Sequence, residues 1–188
     1  VAKIASLFFE KNWIDYSLRS GKRGGAFSHA CVPSVHPYIL INFTGKIKDV
    51  MILAHELGHF HHKHVRQRIV SSFIFSLTSL ALLGYLIKQG WFFHGLGIPE
   101  PSSHTALVLF SLTLPVFSFF ITPISNLISR KHEFQADAFA ASHTDANDLI
   151  SSLTKLYREN SSTLSPDKYY SAFHDSHPSA ILRIARLQ

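Results

Sequence analysis

Two long runs without charge limit the folds open to this chain of 188 residues. Residues 69–87 and 105–129 contain no Asp, Glu, Lys or Arg. As a helix, the first run would span about 28 Å, close to the roughly 30 Å thickness of a bilayer's hydrocarbon core. The second run holds two prolines, which membrane helices tolerate better than soluble ones. We therefore predict two membrane-spanning helices, with two buried helices of a soluble core as the alternative.

The segment between the two runs, residues 88–104, is rich in glycine and proline and predicts a turn. The runs then form a helical hairpin whose outer ends emerge on the same side of the membrane. Basic residues cluster near those ends: Lys63, Arg66, Arg68, Arg130 and Lys131. The connecting segment holds Lys88 alone. By the positive-inside rule, the outer ends are expected on the cytoplasmic side.

The composition agrees with a membrane protein and argues against a nucleic-acid partner. Charged residues make up 16% of the chain, against roughly 25% in ordinary soluble domains. The net charge is +6, but the basic residues form no single stripe interleaved with aromatics, and no nucleic-acid-binding signature occurs. We expect membrane lipid, and no nucleic acid, as a partner.

Directly before the first run, residues 55–59 read His-Glu-Leu-Gly-His, an H-E-x-x-H motif. On a helix, His55 and His59 share one face, so both imidazoles can reach one metal ion. Zinc lowers the pKa of its bound water toward about 7, and Glu56 can then take the proton as general base. We predict a site for one Zn²⁺ ion; the alternative is two core histidines beside an unrelated glutamate.

A catalytic zinc site needs a third protein ligand. The extension of the motif that would supply a third histidine needs Gly at position 62 and His at position 65. It is absent, because these positions hold His and Val. Between the motif and position 133 the only acidic residue is Glu100, in the hairpin turn on the far side of the membrane. The hairpin returns Glu133 to the side of the motif, so we predict Glu133 as the third ligand.

Asp137 follows Glu133 by one helical turn. Zinc-bound histidines usually donate their other N–H to a carboxylate or a carbonyl. Asp137 is our candidate for that acceptor; a solvated helix face beside the basic residues is the alternative.

Three motifs in order, LAHELGHFHHKHVRQRI, SNLISRKHEFQADAFA and YSAFHDSHPSAILRIARL, resemble the integral-membrane zinc endopeptidases of the CAAX prenyl protease type over about residues 53–188. That resemblance implies the same third ligand, Glu133. It also implies cleavage of prenylated or other membrane-associated peptides.

Residues 5–59 resemble a second family, the oligoendopeptidase F and thimet oligopeptidase type of soluble zinc peptidase. In that family the third ligand is a glutamate roughly 25 residues after the second histidine, where this chain has its charge-free run. The chain thus resembles two zinc peptidase families joined at the shared AHELGH.

We predict a mostly α-helical fold with a small edge sheet. Its segments are a zinc-motif region (1–68), a transmembrane hairpin (69–129) and a third-ligand region with C-terminal helices (130–188), together forming one catalytic unit. Three local predictions accompany this fold: a helix over 1–19, a strand over 37–45 whose residues 38–43 would pair with extended substrate, and a last helix over 178–187. His61, His62 and His64 are expected to form a polar face at the membrane surface, with a second metal site as the alternative.

The predicted function is zinc-dependent metalloendopeptidase activity on membrane-associated or prenylated peptides, through a zinc-activated water. The active site is expected on the cytoplasmic side of a bacterial inner membrane or of the endoplasmic reticulum. Two alternatives stay open. One is a soluble-type oligopeptidase acting on short peptides, and the other is a non-catalytic fragment or membrane module.

Peptide hydrolysis also needs a donor to the oxyanion that develops on the scissile carbonyl. His177 is our candidate because it directly precedes Pro178, which holds its backbone. The SHP triplet at 176–178 resembles the C-terminal motif of the membrane protease family, whose histidine lies at the active site. The alternative is that His177 or Ser176 caps the last helix.

Overall fold

A computed structural model describes residues 1–22, 26–29, 36, 38–159, 163 and 165–188. The fold is mostly helical with one small sheet, as predicted. The helices are α1 (Ala2–Glu10), α2 (Ile47–His61), α3 (His64–Leu86), α4 (Gly90–Gly95), α5 (Ser103–Ala141), α6 (Ala146–Glu159), α7 (Lys168–His174) and α8 (Ala180–Leu187). The strands are β1 (Ile14–Asp15), β2 (Ala26–His29) and β3 (Tyr38–Ile41).

The sheet has the order β1-β3-β2, so β3 is its central strand. It pairs in parallel with β1 and antiparallel with β2, in the register Ile14–Ile39 and Ser28–Ile39. The strand predicted over 37–45 is confirmed for Tyr38–Ile41, but residues 42–45 lie outside it. Its assignment as the edge that pairs with substrate is wrong, because both edges of β3 already carry hydrogen bonds. Of the described strands, β2 is the one at an edge beside the metal motif, since Ala26 and Ser28 line the cavity there.

Helix α1 ends at Glu10, so the prediction of a helix over 1–19 is wrong beyond that point. Asn12 adopts a left-handed conformation with φ of 55°. The Trp13 N–H donates to the Phe8 carbonyl at 2.8 Å and the Asn12 N–H donates to the Phe9 carbonyl at 3.2 Å. This is a Schellman ending, and the Trp13 ring completes it by packing edge-on against Phe8 at 5.6 Å.

Helix α2 carries the metal motif and lies between two hydrophobic clusters. Leu53 and Leu57 pack with α1, the sheet and Phe139 on one side. Met51 and Ala54 pack with α5 and α6 on the other. The Asp49 carboxylate accepts hydrogen bonds from the Thr44 and Lys46 N–H groups and from the Thr44 hydroxyl at the start of the helix. Packing on both sides and a hydrogen-bonded N-terminus fix the motif in place.

Gly58, inside the motif, lies directly against the backbone of α5. A Cβ atom at this position would lie 3.0 Å from the Cα and the carbonyl oxygen of Ala136. Real Cβ atoms rarely have such short contacts with backbone, so any larger residue would push the two helices apart. Glycine therefore lets α5 bring its acidic residues against the two histidines of α2.

Helices α3 and α5 contain the two predicted membrane runs. Their most apolar windows have mean hydropathies of 1.9 and 2.1, and only 0% and 6% of those windows are buried within the chain. Core helices of a soluble protein would be mostly buried, so this exposure argues against the soluble-core alternative and supports a membrane hairpin. At the turn, Phe92 and Phe93 of α4 pack against Ala106 and Leu109 of α5.

Helix α5 runs from Ser103 to Ala141 without a break and contains both Pro115 and Pro123. The second membrane run and the first part of the third-ligand region, up to Ala141, are thus one helix, and the segment boundary drawn at 129/130 falls inside it. The last helix, α8, begins at Ala180, with Ser179 at its N-cap position. The prediction that His177 or Ser176 caps this helix is therefore wrong.

Candidate metal centre

Three side chains from α2 and α5 converge on one point. The Nε2 atoms of His55 and His59 lie 3.1 Å apart. The two carboxylate oxygens of Glu133 lie 3.4 Å from them, Oε2 from His55 and Oε1 from His59. The structure thus brings together the three residues predicted as ligands. Among the described residues, they form a group whose ligand atoms all lie within 4.8 Å of one another.

This spacing fits a tetrahedral metal ion. An ion with bonds of about 2.0–2.1 Å to its ligands holds them about 3.3 Å apart, close to the distances found here. Glu133 is buried, with 5% of its surface exposed, although it carries a carboxylate. A buried carboxylate facing two imidazole nitrogens is a donor set suited to a divalent cation. Three protein ligands also leave a fourth position for water or substrate.

Asp137 lies behind His55, at the position predicted for it. The His55 Nδ1 atom is 2.9 Å from the Asp137 Oδ1 atom. Arg183 of α8 donates to the same carboxylate from Nε at 2.7 Å and from Nη2 at 2.6 Å. Burial lowers the pKa of His55, but its hydrogen bonds with Asp137 and Glu133 outweigh burial and raise that pKa to about 9. The surroundings of His55 thus favour a positive charge, which a metal ion would supply.

Arg183 is a site residue that the sequence analysis missed. It is 7% exposed, and its charge is balanced by Asp137 and by Glu133, whose Oε2 atom lies 3.8 Å from Nη1. Arginine on the apolar face of a short C-terminal helix has no local pattern that marks it as functional. Its partner lies 46 residues earlier in the chain, so only the tertiary structure reveals the pair.

Glu56 lines two cavities that adjoin the metal centre. One cavity, of about 310 Å³, has apolar walls from Ile52 and from Leu149 and Leu153 of α6. The other, of about 600 Å³, faces the hairpin and has polar walls that include Ser125. Both are lined by Glu56 and by the metal-centre residues His59 and Glu133. A bound chain crossing the centre would therefore pass beside the Glu56 carboxylate.

His177 reaches the metal centre from the segment before α8. Its Nδ1 atom lies 3.2 Å from the Glu133 Oε1 atom, and the Glu133 carboxylate raises the pKa of His177. The ring is exposed and lines both cavities. The Tyr157 hydroxyl donates to the Pro178 carbonyl at 3.0 Å, which fastens this segment to α6.

The histidines after the motif differ from one another in their surroundings. His61 is exposed, as expected for a polar face, and its ring stacks on Phe139. His64 is only 4% exposed, so its assignment to a polar face at the membrane surface is wrong. Its Nδ1 atom lies 3.1 Å from the Nδ1 atom of His59, and its Nε2 atom lies 3.0 Å from the Gln135 Oε1 atom. From the sequence, His64 had a site role only in the alternative of a second metal site, and Gln135 had none.

Several known proteins have sequences similar to that of this chain. CAAX prenyl protease 1 homologs from rice (Oryza sativa subsp. japonica) and Arabidopsis thaliana are 33% and 35% identical to the chain. The alignments cover 74% and 72% of this chain and 33% and 32% of those proteins. The human homolog is 32% identical, over 73% of this chain and 29% of its own length. The chain thus spans about a third of the length of the curated relatives it matches.

A solved structure is also similar in fold. The crystal structure of S. mikatae Ste24p superposes with a TM-score of 0.77 and 25% sequence identity, covering 100% of this chain and 49% of that one.

Two family models match the sequence. Residues 2–77 match Peptidase family M3, in agreement with the second resemblance of the N-terminal part. Residues 40–188 match Peptidase family M48, a range that holds the H-E-x-x-H motif, the hairpin, Glu133 and His177. Because this match covers most of the chain and all of the metal centre, the chain belongs to peptidase family M48.

Proposed function

We propose that the protein is a zinc-dependent metalloendopeptidase that hydrolyses peptide bonds of membrane-associated or prenylated peptides. The observation that carries the proposal is the convergence of His55, His59 and Glu133 at tetrahedral spacing, with Glu56 lining both cavities that adjoin them. The relatives named CAAX prenyl protease 1 support prenylated peptides as the substrate class. The exposed apolar hairpin supports an active site at a membrane.

Each residue has a distinct role in this function. His55, His59 and Glu133 hold one zinc ion, which when bound lowers the pKa of a water molecule and polarises the scissile carbonyl. Glu56 accepts the proton of the attacking water and delivers it to the leaving amine. Asp137 holds the His55 ring so that its Nε2 lone pair faces the ion.

The substrate chain would lie across the metal centre in extended form. Strand β2 offers a sheet edge beside Glu56, and an extended peptide can add to such an edge through main-chain hydrogen bonds. The apolar cavity beside α6 then accepts a hydrophobic side chain on one side of the scissile bond. The larger cavity lies toward the hairpin, where a lipid-bearing residue of the substrate could stay in contact with the membrane.

By the positive-inside rule, the basic residues at the outer ends of the hairpin support a metal centre on the cytoplasmic side of the bacterial inner membrane or the endoplasmic reticulum. The three segments, 1–68, 69–129 and 130–188, act as one catalytic unit, since the metal ligands come from the first and the third. The hairpin joins those two segments.

Metal removal tests the function. We expect the protein in detergent or lipid nanodiscs to hold about one zinc ion and to cleave a farnesylated peptide, with activity lost on chelation and restored by zinc. An unprenylated peptide of the same sequence is the control for substrate class. Zinc binding without cleavage of either peptide would favour a non-catalytic module. Equal cleavage of both, with a preference for short soluble peptides, would favour an oligopeptidase.

His177→Ala tests the donor role of that histidine. The ring lies at the centre without being one of the three predicted ligands, so we expect full zinc content and a kcat about 10–10³-fold lower, as for the loss of one oxyanion donor. KM should change less than kcat, because the hydrogen bond strengthens only as charge develops. The exposed His174, three residues earlier on α7, provides the matched control. A kcat for His177→Ala within about twofold of that of His174→Ala would exclude the role.

A further inference from the structure

The second metal-binding histidine has a hydrogen-bond chain of its own. The His59 Nδ1 atom lies 3.1 Å from His64 Nδ1, and the His64 Nε2 atom lies 3.0 Å from Gln135 Oε1. We propose that His64 and Gln135 are positioning residues that aim the Nε2 lone pair of His59 at the metal ion. This inference rests on the proposed zinc site, but it assigns a role to two residues outside the ligand set.

The hydrogen bonds from His59 to His64 and from His64 to Gln135 can all run in the same direction, with each group donating to the next. For His59 to bind a metal through Nε2, its hydrogen must be on Nδ1. The His64 Nδ1 atom must then accept that hydrogen, so the hydrogen of a neutral His64 is on Nε2. The acceptor there is the Gln135 side-chain oxygen. Gln135 therefore selects the tautomer of His64, and His64 selects the tautomer of His59.

The backbone turn between α2 and α3 fixes the position of His64. Helix α2 ends at His61, and Lys63 adopts a left-handed conformation with φ of 58° before α3 begins at His64. That conformation is unfavourable for a residue with a Cβ atom. The turn directs α3 so that its first side chain returns to the motif. There the His64 ring stacks on His132 of α5 at 4.1 Å with an interplanar angle of 9°.

Because His64 is buried, the loss of either of its hydrogen bonds is costly. His64 is 4% exposed, and each ring nitrogen of a buried imidazole needs a partner because water cannot replace a lost one. The two metal histidines are thus held by different means. His55 has a carboxylate fixed by an arginine, whereas His59 has a chain of neutral groups that joins α2, α3 and α5. A substitution of His64 interrupts the hydrogen bonds to His59 but leaves the Asp137–Arg183 pair at His55 intact. The groups that hold the two histidines can therefore be tested separately.

Zinc affinity of the full chain, measured by competition with a chelating dye, tests the proposal. His64→Leu fills similar space without an acceptor, and we expect zinc binding to weaken about 10–100-fold, as for other partners of metal ligands. In His64→Asn the side-chain oxygen occupies the place of Nδ1, so most of the affinity should return. His61→Ala, an exposed histidine of the same turn, is the control and should bind zinc like wild type.

Thermal unfolding of the metal-free proteins separates positioning from packing. We expect His64→Leu and His64→Asn to unfold at similar temperatures without zinc and to differ in zinc affinity. If His64→Leu does not fold, Gln135→Leu takes its place, with a smaller expected loss of about 3- to 10-fold because it is one hydrogen bond further from the ion.

The outcomes distinguish this inference from the function on which it rests. If His64→Leu, or Gln135→Leu in its place, binds zinc as tightly as the His61→Ala control, the positioning role is overturned while the zinc site stands. If His64→Asn is as weak as His64→Leu, the acceptor is not what matters and the role is again overturned. If wild type itself binds no zinc, the proposed function is wrong, and the inference that rests on it is wrong as well.

Discussion

Replacing Glu56 with glutamine is expected to leave one zinc ion bound and to remove nearly all peptide hydrolysis. The amide keeps the shape of the side chain between the two cavities, but it cannot accept the proton of the attacking water. Loss of a general base costs about 10²–10⁴-fold in rate. Steady-state cleavage of the prenylated peptide, with zinc content measured on the same preparation, checks both parts of this expectation.

The control for this variant is Glu10→Gln, an exposed glutamate at the end of α1, which should keep full activity. If Glu56→Gln lost its zinc, Glu56 would be a ligand and the roles assigned here would be wrong. If it kept both zinc and activity, another group would be the base, and His177 would be the first to test because it lines the same cavities.

Replacing Glu133 with alanine is expected to weaken zinc binding by more than the 10–100-fold typical of an outer partner. The two Glu133 oxygens lie 3.4 Å from the two imidazole nitrogens, and the variant leaves the ion with two protein ligands. Activity should fall with zinc occupancy. Glu133→Gln is a second variant that keeps the packing of this buried side chain, so that loss of zinc can be separated from loss of fold.

Glu100 is the matched control for this variant. It lies just before α5, in the turn of the hairpin. It is the only acidic residue in the sequence between the motif and position 133. Glu100→Ala should bind zinc like wild type. Normal zinc affinity in Glu133→Ala together with a loss in Glu100→Ala would overturn the hairpin topology from which Glu133 was derived.

Much of the metal centre could be predicted from local spacing. His55 and His59 are four residues apart on a helix and must share a face, whatever the rest of the fold. The charge-free runs predict a hairpin because their length and composition suit a bilayer, and the hairpin returns Glu133 to the motif. Asp137 follows by the same helical spacing. These inferences depend on periodicity and chain direction, which a sequence records.

Errors arose where a residue's environment depends on distant parts of the chain. Residues 38–41 have the pattern of a strand, but whether that strand is central or at an edge depends on β1 and β2, which pair with it from outside the local window. The helix expected over 1–19 stops at Glu10 because Asn12 turns left-handed and Trp13 packs back on Phe8. Apolar spacing alone could not decide between that ending and a longer helix.

The sequence by itself determined the groups on which the proposed chemistry depends: the H-E-x-x-H motif, the carboxylate beyond the hairpin, and two apolar runs long enough to cross a membrane. These follow from covalent order and helical periodicity. Only the tertiary structure decided which groups support the ligands. Arg183 reaches Asp137 across 46 residues and His64 reaches Gln135 across 71. Such pairs arise when helices pack, and Gly58 lets α2 and α5 approach closely enough for both histidines to be held from behind.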